Sequence, residues 1–263
     1  MPWTAASSVS IRYELSGTGR QSLILIHEMG GTLESWDAVS GALEQDYRVL
    51  RHDQRGAGLS EKIRTPFGVD DHVRDLEAAL DASRLAPPYI VAGVAGGAAI
   101  ALLFAYRHLP QMSAAILCSP SIGIAPDRKQ YFQERAALAA RDGMRAIIDA
   151  TLAVAYPDEV IRDRETYTAY RARFMSNDPV GYGLCNRALA ESDLEELAYA
   201  VTCRCLVLAG THDPLRPPAR ARELANRLPQ AEFDVIDSGH FMHVQSPREL
   251  TARMLTFLRT ADD

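Results

Sequence analysis

Short aliphatic and β-branched runs alternate along the chain with longer stretches in which apolar residues recur every three or four positions. The runs "IRYEL", "SLILIH", "YRVLRHD", "PYIVAG", "AAILCS", "CLVLAG" and "AEFDVID" predict strands. Cores such as "LILI" and "LVLA" are apolar at consecutive positions, which suits parallel strands covered on both faces. Between them, Trp36, Val39 and Leu43 share one helical face, as do Val73, Leu76 and Leu80, while "GGAAIALLFAYRHL" is apolar nearly all round, as a buried helix is. In "SPRELTARMLTFL", Ser246 is placed to cap, Pro247 to open the helix, and Glu249 to close a capping box. The alternation predicts an α/β fold: a mainly parallel central sheet flanked by helices.

One region breaks the pattern. From Gly123 to Leu197 the chain reads as helix, with "RKQYFQERAALAARDGMRAIIDATLA" and "DRETYTAYRARFMS" and no convincing strand. The expected organisation is a core in two parts, residues 1–122 and 198–263, with a helical cap, residues 123–197, between them. Ligands of open α/β sheets bind outside the carboxyl ends of the strands, so such an insertion would cover the site.

Composition narrows the partners. A net charge of −6 over 263 residues offers no basic face for nucleic acid or an anionic membrane. The N-terminus has no basic segment followed by an apolar one, and no apolar run nears the ~20 residues that span a bilayer, so a cytoplasmic protein is expected. Cys118, Cys185, Cys203 and Cys205 lie in apolar or strand-like contexts and are expected to be reduced. His27, His52 and Asp53 lack the spacing of a metal cluster, and neither metal nor cofactor is expected; the partner would be a small-molecule substrate, with oligomeric state unread.

Four of the runs are followed by loops rich in glycine or polar residues: "EMGG", "VAGG", "THDPLRPP" and "SGHFMH". Common placement at strand ends would gather them into one pocket. "HDQRGAGLS", "AGTHDPLRPP" and "SGHFMHVQSP", in the chain order nucleophile position, acid, histidine, resemble the α/β-hydrolase fold superfamily over nearly the whole chain. "TLESWD" and "SNDPVGYGLCNRAL" are most similar to 3-oxoadipate enol-lactonases and related ring-opening hydrolases. The resemblance implies that Asp213 orients His240, the general base, and that the backbone N–H groups of Met29 and Gly96 form an oxyanion hole. It implies a structural role for Arg55, and for His243, because the histidine after Gly239 takes the catalytic role.

The sequence departs from the superfamily pattern in the elbow "GVAGG", where Ala95 stands at the position of the nucleophilic serine, so no acyl-enzyme can form there. A second departure is Glu28, in "HEMGG", where relatives commonly carry glycine or a neutral polar residue. Three accounts stay open. In the first, Ala95 is natural and water activated by His240 or Glu28 attacks a carbonyl; in the second, the chain is an engineered, inactive form of an ordinary serine hydrolase; in the third, it is a non-catalytic small-molecule binding protein, or a cofactor-free lyase or oxygenase of the same fold. Two departures in one pocket favour a natural hydrolase of a lactone, ester or 1,3-diketone. Burial of Glu28 would raise its pKa toward neutrality, whereas a carboxylate turned outward or paired with an arginine would play no part. The charged cap positions Arg128, Lys129, Arg135, Arg171 and Arg173 could meet an acidic substrate but read first as a solvated face, and Tyr131, Phe132, Tyr167, Tyr170 and Phe174 could line an apolar pocket but read first as cap core.

Overall fold

The seven aliphatic runs become seven strands of one eight-stranded sheet in the computed structural model, which describes residues 2–6, 9–124 and 126–259. The outer ends of the two expected core segments, Met1 and 260–263, lie outside the described residues. The strands are β1 (Trp3–Ala6), β2 (Val9–Ser16), β3 (Gln21–Ile26), β4 (Tyr47–His52), β5 (Tyr89–Val94), β6 (Met112–Cys118), β7 (Arg204–Gly210) and β8 (Ala231–Ile236), in the spatial order β1-β2-β4-β3-β5-β6-β7-β8. From β4 to β8 every pairing is parallel; β1 and β2 join antiparallel at one edge. The edge strand β1, "WTAA", was not among the expected strands, because four residues without alternation carry no periodic signal.

Strand β3 shows why consecutive apolar positions are needed. Leu23 and Leu25 face one side and pack with Trp36, Val39 and Phe257; Ile24 and Ile26 face the other and pack with Leu76 and Phe104. All four are fully buried, each contributing roughly 1.5–3 kcal/mol of burial. The helices covering the two faces are α1 (Asp37–Leu43), α2 (Val69–Ser83), α3 (Gly96–Arg107), α8 (Pro218–Ala225), α9 (Met242–Gln245) and α10 (Pro247–Arg259). Helix α3 is buried from Gly96 to Ala105, as its uniform hydrophobicity predicts. Helix α10 starts at Pro247 as expected, but the capping box is not what holds it: Ser246 Oγ donates to Asp237 O at 2.6 Å, and Glu249 accepts the Asp237 N–H. Both side chains tie the helix to the end of β8 instead.

Between β6 and β7 lie α4 (Pro126–Asp142), α5 (Arg145–Ala155), α6 (Arg164–Met175) and α7 (Pro179–Glu191). The chain leaves and re-enters the core at one place, where Gly123 pairs with Asp193 and the Leu194 N–H donates to Ile122 O at 3.0 Å. These helices share an apolar cluster, with Ile148, Leu152, Tyr170 and Phe174 packed against Phe241 and Val244 beyond β8. No helix among the described residues is long and apolar enough to cross a membrane.

Candidate active site

Ala95 sits between β5 and α3 at φ +54°, ψ −115°, a region that L-residues avoid. The turn is pinned by its neighbours: the Ala95 N–H donates to Cys118 O at 2.9 Å, and Ala95 O accepts from Ser121 at 3.1 Å. Two glycines make the turn possible. A Cβ on Gly93 would lie 2.2 Å from Gly97 O, and one on Gly97 2.5 Å from His27 O, so only hydrogen fits at either position. The strained elbow is therefore built in full with alanine at its tip.

Asp213 follows β7 and His240 follows β8. His240 Nδ1 and Asp213 Oδ2 are 2.8 Å apart, and Asp213 Oδ1 accepts the N–H groups of Leu215 at 2.9 Å and Arg216 at 3.0 Å. Both side chains are buried. Burial alone would raise the Asp213 pKa; the charge and hydrogen bond of His240, the Arg216 amide and the Ser119 hydroxyl outweigh it and hold the carboxyl below its usual range. The carboxylate thus fixes the imidazole from its far side.

Met29, Ala95, Gly96 and His240 line one cavity of about 750 Å³, walled also by residues of α4, α5, α6 and α7. Met29 packs directly over Gly96: a Cβ added to that glycine would sit 3.1 Å from Met29 Cγ. Gly96 is the first residue of α3, where N–H groups point outward and the helix dipole favours negative charge. The cavity wall also carries Ser121, Arg135 and Arg216. Arg135 donates to the Tyr182 hydroxyl at 2.8 Å and to Thr151, and Arg216 to Leu215 O at 2.8 Å and Gly123 O at 3.1 Å; neither forms an ion pair among the described residues. Arg216 is held below its usual range by burial first and then by the nearby charges of Arg128 and Arg220, against the pull of Asp213 and Glu195. Sequence reading missed Ser121 and Arg216. Both lie just beyond strand ends, and Arg216 stands in the same loop as Asp213, so strand-end position was the available signal.

Glu28 corrects two expectations. Its side chain points inward but lies outside the cavity wall, fully buried, and its partner is a histidine rather than an arginine. Glu28 Oε2 accepts from His243 Nε2 at 2.7 Å, and Oε1 from the Tyr170 hydroxyl at 2.8 Å and Ser35 Oγ at 3.2 Å. Burial would raise its pKa, yet the charge and hydrogen bond of His243 overcome this and lower it to about 2. A carboxylate so bound and so acidic is a poor proton acceptor, so Glu28 is not placed to activate water. Its 215-residue separation from His243 left no local trace in the sequence.

The remaining candidates are structural. Arg55 forms a two-pronged pair with Asp75, Nε–Oδ2 at 2.6 Å and Nη2–Oδ1 at 2.7 Å. Asp53 accepts from Arg12 and from the Leu33 and Leu59 amides, and no group of metal-ligating side chains occurs among the described residues. Cys118, Cys185 and Cys205 are buried and Cys203 half-buried, all four as free thiols.

Residues 17–245 match the Hydrolase_4 family, described as serine aminopeptidase, S33. The chain belongs to this family. Among its relatives is a protein named for carbamate hydrolysis, RutD of Caulobacter sp. (strain K31), 30% identical over 91% of each chain. The 3-oxoadipate enol-lactonase 2 of Acinetobacter baylyi is 24% identical over 92% of this chain and 91% of its own. Of solved structures, the enol-lactonase from Burkholderia xenovorans LB400 superposes with a TM-score of 0.92 at 26% identity, covering 98% of this chain and 100% of its own. The protein is a Hydrolase_4 member with the α/β-hydrolase fold.

Proposed function

We propose that this hydrolase cleaves a small carbonyl compound bearing an anionic group, by direct attack of water under the control of His240. The observation that carries this reading is the His240–Asp213 pair, buried and aligned at 2.8 Å, on the wall of a cavity that Ala95 also lines. Removing a seryl oxygen beside the imidazole leaves room for a water, and Nε2 is the ring nitrogen that Asp213 leaves free to act on it. His240 takes a proton from the water as its oxygen bonds to the carbonyl carbon; the developing oxyanion is met by the N–H groups of Met29 and Gly96. When the tetrahedral species collapses, the imidazolium returns that proton to the leaving group. Asp213 holds the tautomer that makes Nε2 the acceptor and stabilises the imidazolium.

The relatives are named for lactone and carbamate hydrolysis, which supports an acyl compound, with esters and 1,3-diketones cleaved by the same step. Arg135 and Arg216 support the anionic group, because these half-buried guanidinium groups line the cavity with no ion pair among the described residues and can be met by a substrate carboxylate. Glu28 takes no proton in this scheme.

The test is turnover of a panel of lactones, esters, carbamates and 1,3-diketones, each with and without a carboxylate, by the chain as it stands, His240→Ala and Ala95→Ser. The unaltered chain is expected to hydrolyse a carboxylate-bearing member, and His240→Ala to lose about 10²–10⁴-fold in kcat. Turnover by Ala95→Ser alone would overturn water attack. If no form is active and a panel compound protects the chain from thermal unfolding, the protein is a binder.

A further inference from the structure

The geometry points to Glu28 as a positioning residue that holds the loop carrying Met29, the loop carrying His240 and the cap in one register. Its carboxylate joins three separate parts of the chain. Tyr170 comes from α6 in the cap, His243 from α9 just beyond His240, and Ser35 from the turn that follows the Met29 loop. Glu28 and His243 are 0% exposed and Tyr170 1%.

Adjacent contacts extend each link toward the cavity. The Tyr170 ring centroid lies 5.3 Å from that of Phe241, and Phe241 in turn lies 5.3 Å from the His240 ring. Cap residue Asn177 donates to Gly30 O at 2.7 Å, and a Cβ on Gly30 would come within 2.4 Å of the Phe174 ring. Gly31 folds tightly against the carboxylate itself, where a Cβ would be 2.4 Å from Glu28 Cδ. The Met29 amide thus belongs to a loop gripped on one side by the cap and on the other by Glu28.

A fully buried carboxylate is tolerated only while its donors are in place, because its desolvation is otherwise uncompensated. Lifting α6 removes the Tyr170 hydroxyl and leaves the charge short of a donor, so cap closure and loop order become one cooperative event. That the linked parts carry an oxyanion donor and the general base rests on the reading above; the coupling itself does not.

Amide hydrogen exchange on the intact chain reads the coupling without turnover. In Tyr170→Phe, exchange at 28–31 and 241–245 is expected to quicken together with that of α6, by about tenfold or more. Glu28→Gln, whose amide can accept from Tyr170 and donate to His243 in its other tautomer, should stay near the unaltered chain. Faster exchange in α6 with 28–31 and 241–245 unchanged would overturn the proposal. Should Tyr170→Phe not fold, Ser35→Ala is read the same way, with α9 replacing α6 as the distant reporter. Where a substrate of the panel is turned over, Tyr170→Phe should lower kcat by about tenfold with KM little changed, and Glu28→Gln should retain kcat. A rise in KM alone would also overturn it. If the panel yields no turnover, the hydrolytic reading fails while the exchange result still decides this one.

Discussion

At the scale of single residues, Ala95 occupies a conformation that a methyl side chain does not choose. φ +54° with ψ −115° costs on the order of 1–3 kcal/mol for a residue with a Cβ, held there by the Ala95 N–H donating to Cys118 O and Ala95 O accepting from the Ser121 N–H. Glycine relieves that strain but loses roughly 0.5–1 kcal/mol to the greater freedom of the unfolded chain. Ala95→Gly is therefore expected to raise stability by about 1 kcal/mol, measured by the urea midpoint; a clear fall would mean that the turn stores no strain. The alanine and its glycines were legible in "GVAGG", as was the pairing of Asp213 with His240, since their motifs are local and their order is fixed. What Glu28 does was not legible. Its acidity comes from His243 and its placement from Tyr170, partners on α9 and α6 that only the folded chain brings to it.

At the scale of elements, the loop after β4 is fastened to α2 by Arg55 and Asp75. The fork geometry, two bonds at 2.6 and 2.7 Å to a buried carboxylate, is one that lysine cannot reproduce. Arg55→Lys is expected to cost about 2–3 kcal/mol, seen as a lower denaturation midpoint with unchanged slope. Seven strands and the helices α1, α2, α3 and α10 could be read from the sequence because each buries an apolar face or a whole surface. Strand β1 could not, having four residues and one partner at the edge. The start of α10 was placed correctly for a reason that failed: Ser246 and Glu249 reach across to Asp237, a tertiary contact taking the place of a local one.

For the whole molecule, two buried carboxylates shape the response to acid. Glu28 is lowered to about 2 from an ordinary 4.5, and Asp213 is lowered as well. In both cases the unfolded chain binds the proton more readily, so both carboxylates stabilise the fold at higher pH and lose that contribution as pH falls; for Glu28 the loss runs from about pH 4.5 down toward 2. Thermal midpoints taken between pH 2 and 6 should drop steeply in that window. Glu28→Gln, which cannot titrate, should show a shallower decline; an identical decline would remove Glu28 as its source.

Helices α4–α7 leave and return to the sheet side by side, where Gly123 pairs with Asp193 and Leu194 with Ile122. The two ends of this insertion are therefore already joined in space, and the sheet is complete without it. A different set of helices spliced onto the same stem is expected to change which members of the substrate panel are turned over while the elbow and the Asp213–His240 pair keep their geometry. The transplant has one compatibility rule. Replacement helices are expected to need a hydroxyl for Glu28 and an amide for Gly30, as Tyr170 and Asn177 supply them, or the loops beneath come loose.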